Sequence, residues 1–125
     1  MSADTQPSTR VDFSVVDNGD WEDALQLGDP EDQTWNLNGA AFYLDIKGDD
    51  DDASPLLSLS TGAGTIVVND PIGRVISMNL PHAQWGQVVE RGKPYRYDML
   101  MVQAGVQTPV FHGELKMHHG ITKGP

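Results

Sequence analysis

Two alternating runs near the end of the chain, one within the stretch Gly92–Gly105 and one in Pro109–Met117, flank Ala104-Gly105, and they restrict the fold more than any other feature. In the first, Tyr95, Tyr97, Met99 and Met101 share one face while Arg96 and Asp98 share the other. In the second, Phe111, Leu115 and Met117 oppose His112, Glu114 and Lys116. A period of two is the signature of a half-buried strand, and Ala104-Gly105 reads as the tight turn between two such strands. A hairpin with one apolar face needs a second layer to cover it. The expectation is therefore an all-β sandwich.

The rest of the sequence repeats this pattern in shorter pieces. Val11–Val15 alternates, Asp17-Asn-Gly-Asp is a turn, and Trp21–Leu27 is a second extended run stopped by Gly28-Asp-Pro, giving an N-terminal hairpin or a kinked strand. In Ala40–Lys47, Phe42, Leu44 and Ile46 point one way and Tyr43, Asp45 and Lys47 the other. Short runs follow at Leu56–Ser60 and Thr65–Val68, split by Thr61-Gly-Ala-Gly, and then at Gly73–Leu80. Turns every 8–12 residues are the spacing of a sandwich, here with seven to eight antiparallel strands. Pro81–Glu90 breaks the period. Its Trp85, Val88 and Val89, three and four apart, predict one short helical turn crossing between sheets.

A length of 125 residues suits one domain. Residues 1–10, rich in Ser, Thr, Gln and Pro, read as a flexible arm; residues 11–122 form the sandwich and 123–125 a tail. The chain has no cysteine, so disulfides and thiolate chemistry are excluded and stability must come from packing. Neither a membrane-spanning apolar run nor a signal-peptide pattern is present, so the protein is expected to stay where it is made.

A net charge of −10 argues against nucleic acid as a partner, because duplex affinity comes largely from Lys and Arg neutralising phosphates. The charge is uneven. Residues 1–52 hold 14 Asp and Glu against Arg10 and Lys47, a balance of −12, whereas residues 53–125 hold 4 against 6 Lys and Arg, or +2. The N-terminal part builds either a solvating face or an acidic docking surface for a basic partner.

Residues able to carry chemistry are few. Asp49, Asp50, Asp51 and Asp52 offer carboxylates to a hard cation such as calcium, yet lack the alternating ligands, central glycine and distant Glu of an EF-hand loop. His112, His118 and His119 are near in sequence, but 118 and 119 point to opposite faces of a strand. Ser58 or Ser60 with His112 is the one conceivable nucleophile and base, with no nucleophile elbow around either serine. Tyr95 or Tyr97 is expected to pack its ring in the core and reach upstream backbone with its hydroxyl, in the manner of a tyrosine corner. Trp35 and Trp85 are expected as core plugs, or as a sugar platform if exposed together with the tyrosines. These readings favour a protein without a catalytic centre, metal or cofactor.

The order of landmarks resembles a phage-protein family of small immunoglobulin-like domains, comprising stand-alone tail-region proteins and the N-terminal domain of baseplate upper proteins. The residues that carry the resemblance are Gly19-Asp-Trp21, Leu37-Asn-Gly39, Leu56-Leu57 with Ser60-Thr-Gly, Thr65-Ile-Val-Val, Gly73-Arg-Val-Ile-Ser-Met, Pro94-Tyr-Arg-Tyr-Asp, His112-Gly-Glu-Leu and Gly120-Ile-Thr. They span residues 11–122. Two departures stand out: the Asp49–Asp52 insertion replaces a tight linker, and Pro81–Glu90 is longer than the usual crossover. The resemblance implies an immunoglobulin-like sandwich acting as a virion structural component, made and assembled in the host cytoplasm and homo-oligomeric in the particle. Its partners would be tail, baseplate, fibre or major capsid proteins. A tail, baseplate or fibre-attachment position comes first, capsid decoration second and a carbohydrate-binding module third. Expected contact residues are Arg10, Asp49, Asp50, Asp51, Asp52, Trp85 and Arg91, taken from the arm, the acidic loop and the crossover.

Overall fold

The computed structural model describes residues 8–16, 19–28, 31, 32, 34–47, 57–81, 84 and 94–118. Its elements are strands: β1 Thr9–Arg10, β2 Phe13–Val16, β3 Trp21–Gln26, β4 Ala41–Lys47, β5 Leu57–Ser60, β6 Ile66–Asp70, β7 Val75–Leu80, β8 Pro94–Gln103 and β9 Val106–His118. They form two sheets. The larger runs β1-β9-β8-β4-β5, with β2 also on β9, and the smaller runs β3-β7-β6.

The alternation read from the sequence is what packs the two sheets together. Phe42, Leu44 and Ile46 of β4, and Tyr95, Tyr97, Met99 and Met101 of β8, turn inward from the larger sheet. Trp21, Ile66, Ile76, Met78 and Leu80 answer from the smaller one, and all belong to one buried apolar cluster. Phe13 of β2 meets Trp21 of β3 edge to face at 5.2 Å, a direct contact between the sheets. The covering layer demanded by the hairpin's apolar face is thus in place. At the hairpin's tip Ala104 (φ 53°) and Gly105 (φ 78°) both take left-handed backbone, the two-residue turn whose twist matches that of paired strands. A bulge where Met99 faces Phe111 and Leu100 faces Pro109 adds one residue to β9.

Three expectations change. The strand count among the described residues is nine, because the first strand is broken. β1 and β2 run parallel to β9 in one register, Thr9 opposite Phe111 and Phe13 opposite Leu115, interrupted at Val11-Asp12. Thr9 and Arg10, read as part of a flexible arm, therefore already pair with the body. The N-terminal hairpin is also not formed: β2 belongs to the larger sheet, whereas β3 pairs with β7 in the smaller. Burial decides this, since Phe13 and Trp21 meet only from opposite layers.

β7 and β8 lie in different sheets, so the connection between them crosses from one to the other as expected. The helical turn expected over Trp85, Val88 and Val89, the acidic loop 48–54, residues 1–7 and the terminal Gly120-Ile-Thr lie outside the described residues. No helix among the described residues is long and apolar enough to cross a membrane.

Candidate functional site

Inward alternation on β4, β8 and β9 forces the intervening residues onto the outer face of the larger sheet. There they line a groove of about 350 Å³ formed by Arg10, Asp45, Lys47, Arg96, Asp98, His112 and Glu114, with Tyr97 and Gly113 beneath. Strand register sets their neighbours. Lys47 lies opposite Arg96, and Arg96 opposite Glu114, which binds Asp12 through its amide. One level along the strands, Asp45 lies opposite Asp98, Asp98 opposite His112, and His112 opposite Arg10. The next level is apolar: Tyr43, 49 % exposed, faces Leu100, which faces Pro109.

The two charged levels form a checkerboard. Lys47 and Arg96 are like-charged neighbours across β4 and β8, as are Asp45 and Asp98, and like charges directly opposite destabilise a strand pair. Opposite charges compensate at the next strand pair, where Arg96 faces Glu114 across β8 and β9, and within the first strand, where Arg10 bonds Asp12 at 3.1 Å. Ser58 also donates to Asp45 at 2.7 Å.

At the groove's edge Asp12 takes the place of a backbone group. Its Oδ1 accepts the Glu114 N–H at 2.9 Å and the Arg10 Nε–H at 3.1 Å, closing the ladder where β1 and β2 are interrupted. The Glu114 amide is the main cause holding the Asp12 carboxyl below its ordinary value, against a smaller opposing effect of desolvation. Beneath the break, the Tyr97 hydroxyl donates to the Val11 carbonyl. Burial raises the Tyr97 phenol well above its ordinary value, so it stays a neutral donor. The tyrosine-corner expectation thus falls on Tyr97, and its target is the first strand.

A second cluster closes the far end of the smaller sheet. Arg74, 1 % exposed and at φ 60°, donates to the carbonyls of Leu27 at 3.0 Å and Trp35 at 3.1 Å, and its guanidinium lies 5.0 Å from the Trp35 ring. Trp35 is therefore half-buried under a cation rather than displayed. Tyr95 and Tyr97 are 2 % and 4 % exposed, so these three aromatics form no exposed platform for a sugar.

Of the contact residues expected from sequence, Arg10 reaches the groove, while Asp49, Asp50, Asp51, Asp52, Trp85 and Arg91 lie outside the described residues. The groove's other residues were missed as a site. Alternation put each on a polar face, but no sequence signal gives the register that collects them. Ser58 and Ser60 sit on β5, three strands and thus about 14 Å from His112 on β9. The Ser–His arrangement conceived from sequence is not assembled. His112 instead bonds the hydroxyl of Ser8 through Nδ1, at the end of a strand rather than on a strand-to-helix elbow. Among the described residues no group of three or more His, Asp or Glu forms a metal site.

No protein-family model matches the chain, and no curated protein matches it.

Proposed function

We propose that this chain is a non-catalytic structural protein of a bacteriophage virion, built on an immunoglobulin-like sandwich and working through protein–protein contacts at a tail, baseplate or fibre-attachment position. The observation that supports the fold in this proposal is the strand order. Lettering β3 to β9 as B, C, C′, D, E, F and G gives G-F-C-C′ in one sheet and B-E-D in the other, an order that supports an immunoglobulin-like reading. That order agrees with the fold implied by the landmarks from Gly19-Asp-Trp21 to His112-Gly-Glu-Leu.

A rigid two-sheet body with a wide, charged outer face suits repeated contact better than turnover. The groove's opposite charges face one another across β8 and β9, where Arg96 meets Glu114, and its Ser–His contact joins the chain before β1 to β9. Fold alone supports many functions, so the virion assignment rests on the sequence resemblance and is tested on particles. Mass spectrometry of purified virions should recover peptides of this chain at several copies per particle. Their absence from particles, with the protein present in the lysate, would overturn the assignment.

A further inference from the structure

We infer that the outer face of the larger sheet is an interface between two copies of this chain, packed face to face about a two-fold axis that runs along the strands between β8 and β9. The inference rests on the protein-contact reading above and names the surface and the partner. Its basis is the charge pattern, which changes sign across the line between β8 and β9. A two-fold axis along that line brings each residue of one copy onto the residue at the mirrored position of the other.

The pairing can be followed level by level. Arg96 of β8 meets Glu114 of β9 in the second copy, and Lys47 of β4 meets Asp12 beside β1. Asp98 meets His112, and Asp45 meets Arg10. At the apolar level Leu100 meets Pro109. Each of these contacts occurs twice by symmetry. The like-charged cross-strand pairs, Lys47 with Arg96 and Asp45 with Asp98, each gain opposite charges from the second copy. An axis across the strands, between the two charged levels, would also match sign, setting Arg96 on Asp98. It would set Leu100 over position 94 rather than over Pro109, so the axis along the strands is the one that also matches the third level among the described side chains.

The size of the face sets the strength. The four mutually matched strands, about 4.8 Å apart and seven residues deep, cover about 450 Å² per copy, near the lower end of specific transient interfaces. Such a dimer forms at concentrations on the order of 100 µM and weakens with salt, because its contacts are exposed charges.

Sedimentation velocity on the isolated full chain tests this, with single charge reversals. At about 300 µM and low salt the unaltered protein sediments as a dimer, and at about 0.5 M salt it shifts toward monomer. Arg96→Glu alone and Glu114→Arg alone are monomeric, because each sets two pairs of like charges together. Their equimolar mixture restores the dimer. There the carboxylate introduced at position 96 of one copy meets the guanidinium introduced at position 114 of the other, and the unaltered Glu114 meets the unaltered Arg96. That recovery also shows that both variants are folded. A monomeric parent protein, dimeric single variants, or a mixture that stays monomeric would each overturn the inference. The last would be the outcome for the axis across the strands. None of these results depends on where the protein lies in a particle, which virion analysis decides separately.

Discussion

The hydroxyl of Tyr97 on β8 donates to the carbonyl of Val11, 86 residues earlier, at the place where the first strand breaks from its ladder. The carbonyl at the break is thereby satisfied by a side chain rather than by a neighbouring strand. The same ring packs against Phe13 at 5.4 Å, so a single residue ties the first strand both to the hydrogen-bond network and to the core.

Tyr97→Phe keeps the ring and removes the donor. Leaving a part-buried carbonyl unpaired costs about 1–3 kcal/mol, and urea unfolding should report a loss in that range. A variant as stable as the parent would show that the contact carries no stability.

Gly113 is required by the same junction. A Cβ there would lie 2.2 Å from the Val11 carbonyl oxygen and 2.7 Å from Asp12 Oδ1, distances that no side chain tolerates without moving the first strand. Gly113→Ala should destabilise the protein by about 1–3 kcal/mol. It should also speed amide exchange at Val11, whose N–H donates to the His112 carbonyl at 2.8 Å. Unchanged exchange there would contradict the geometry.

Arg74 satisfies two carbonyls that have few alternatives once it is gone. Arg74→Ala leaves the Leu27 and Trp35 carbonyls without these donors and uncovers the Trp35 ring, a loss of about 2–5 kcal/mol in thermal or chemical melts. Arg74→Lys should recover only part of it, because an ammonium lacks the planar fork that reaches both acceptors.

Acid should loosen the first strand at Asp12. Its carboxyl is held below the ordinary value of 3.8, so its contribution is complete above that value and disappears as pH falls through the lower folded-state value. The Glu114 amide resonance, followed by NMR from about pH 6 to about pH 2, should titrate in that acid window. Asp12→Ala should remove this step. An identical profile in the variant would contradict the bond from the Glu114 amide to Asp12.

Much of the fold was legible because burial imposes a period that sequence preserves. Phe42, Leu44 and Ile46, Ile76, Met78 and Leu80, Tyr95, Tyr97, Met99 and Met101, and Phe111 and Leu115 all lie on the faces their spacing implied. Less legible was which layer each strand joins. The parallel pairing of β2 with β9 joins Phe13 to Leu115 across most of the chain and rests on packing of Phe13 and Val15, which local pattern does not encode. Arg74 was missed for a related reason. A charged residue in a turn reads as exposed, and only the meeting of Leu27, Trp35 and the β6–β7 turn provides the partners that bury it. The groove suffered most: the polar residues of β4, β8 and β9 were visible strand by strand, yet the checkerboard exists only once register sets Asp45 beside Asp98 and Arg96 beside Glu114.

The central claim is a structural role in a virion, and immunogold electron microscopy of purified particles with an antibody to this chain tests it most directly. Gold at the tail tip, baseplate or collar is the predicted result. Gold over the head would move the protein to capsid decoration, and unlabelled particles would contradict the virion role itself.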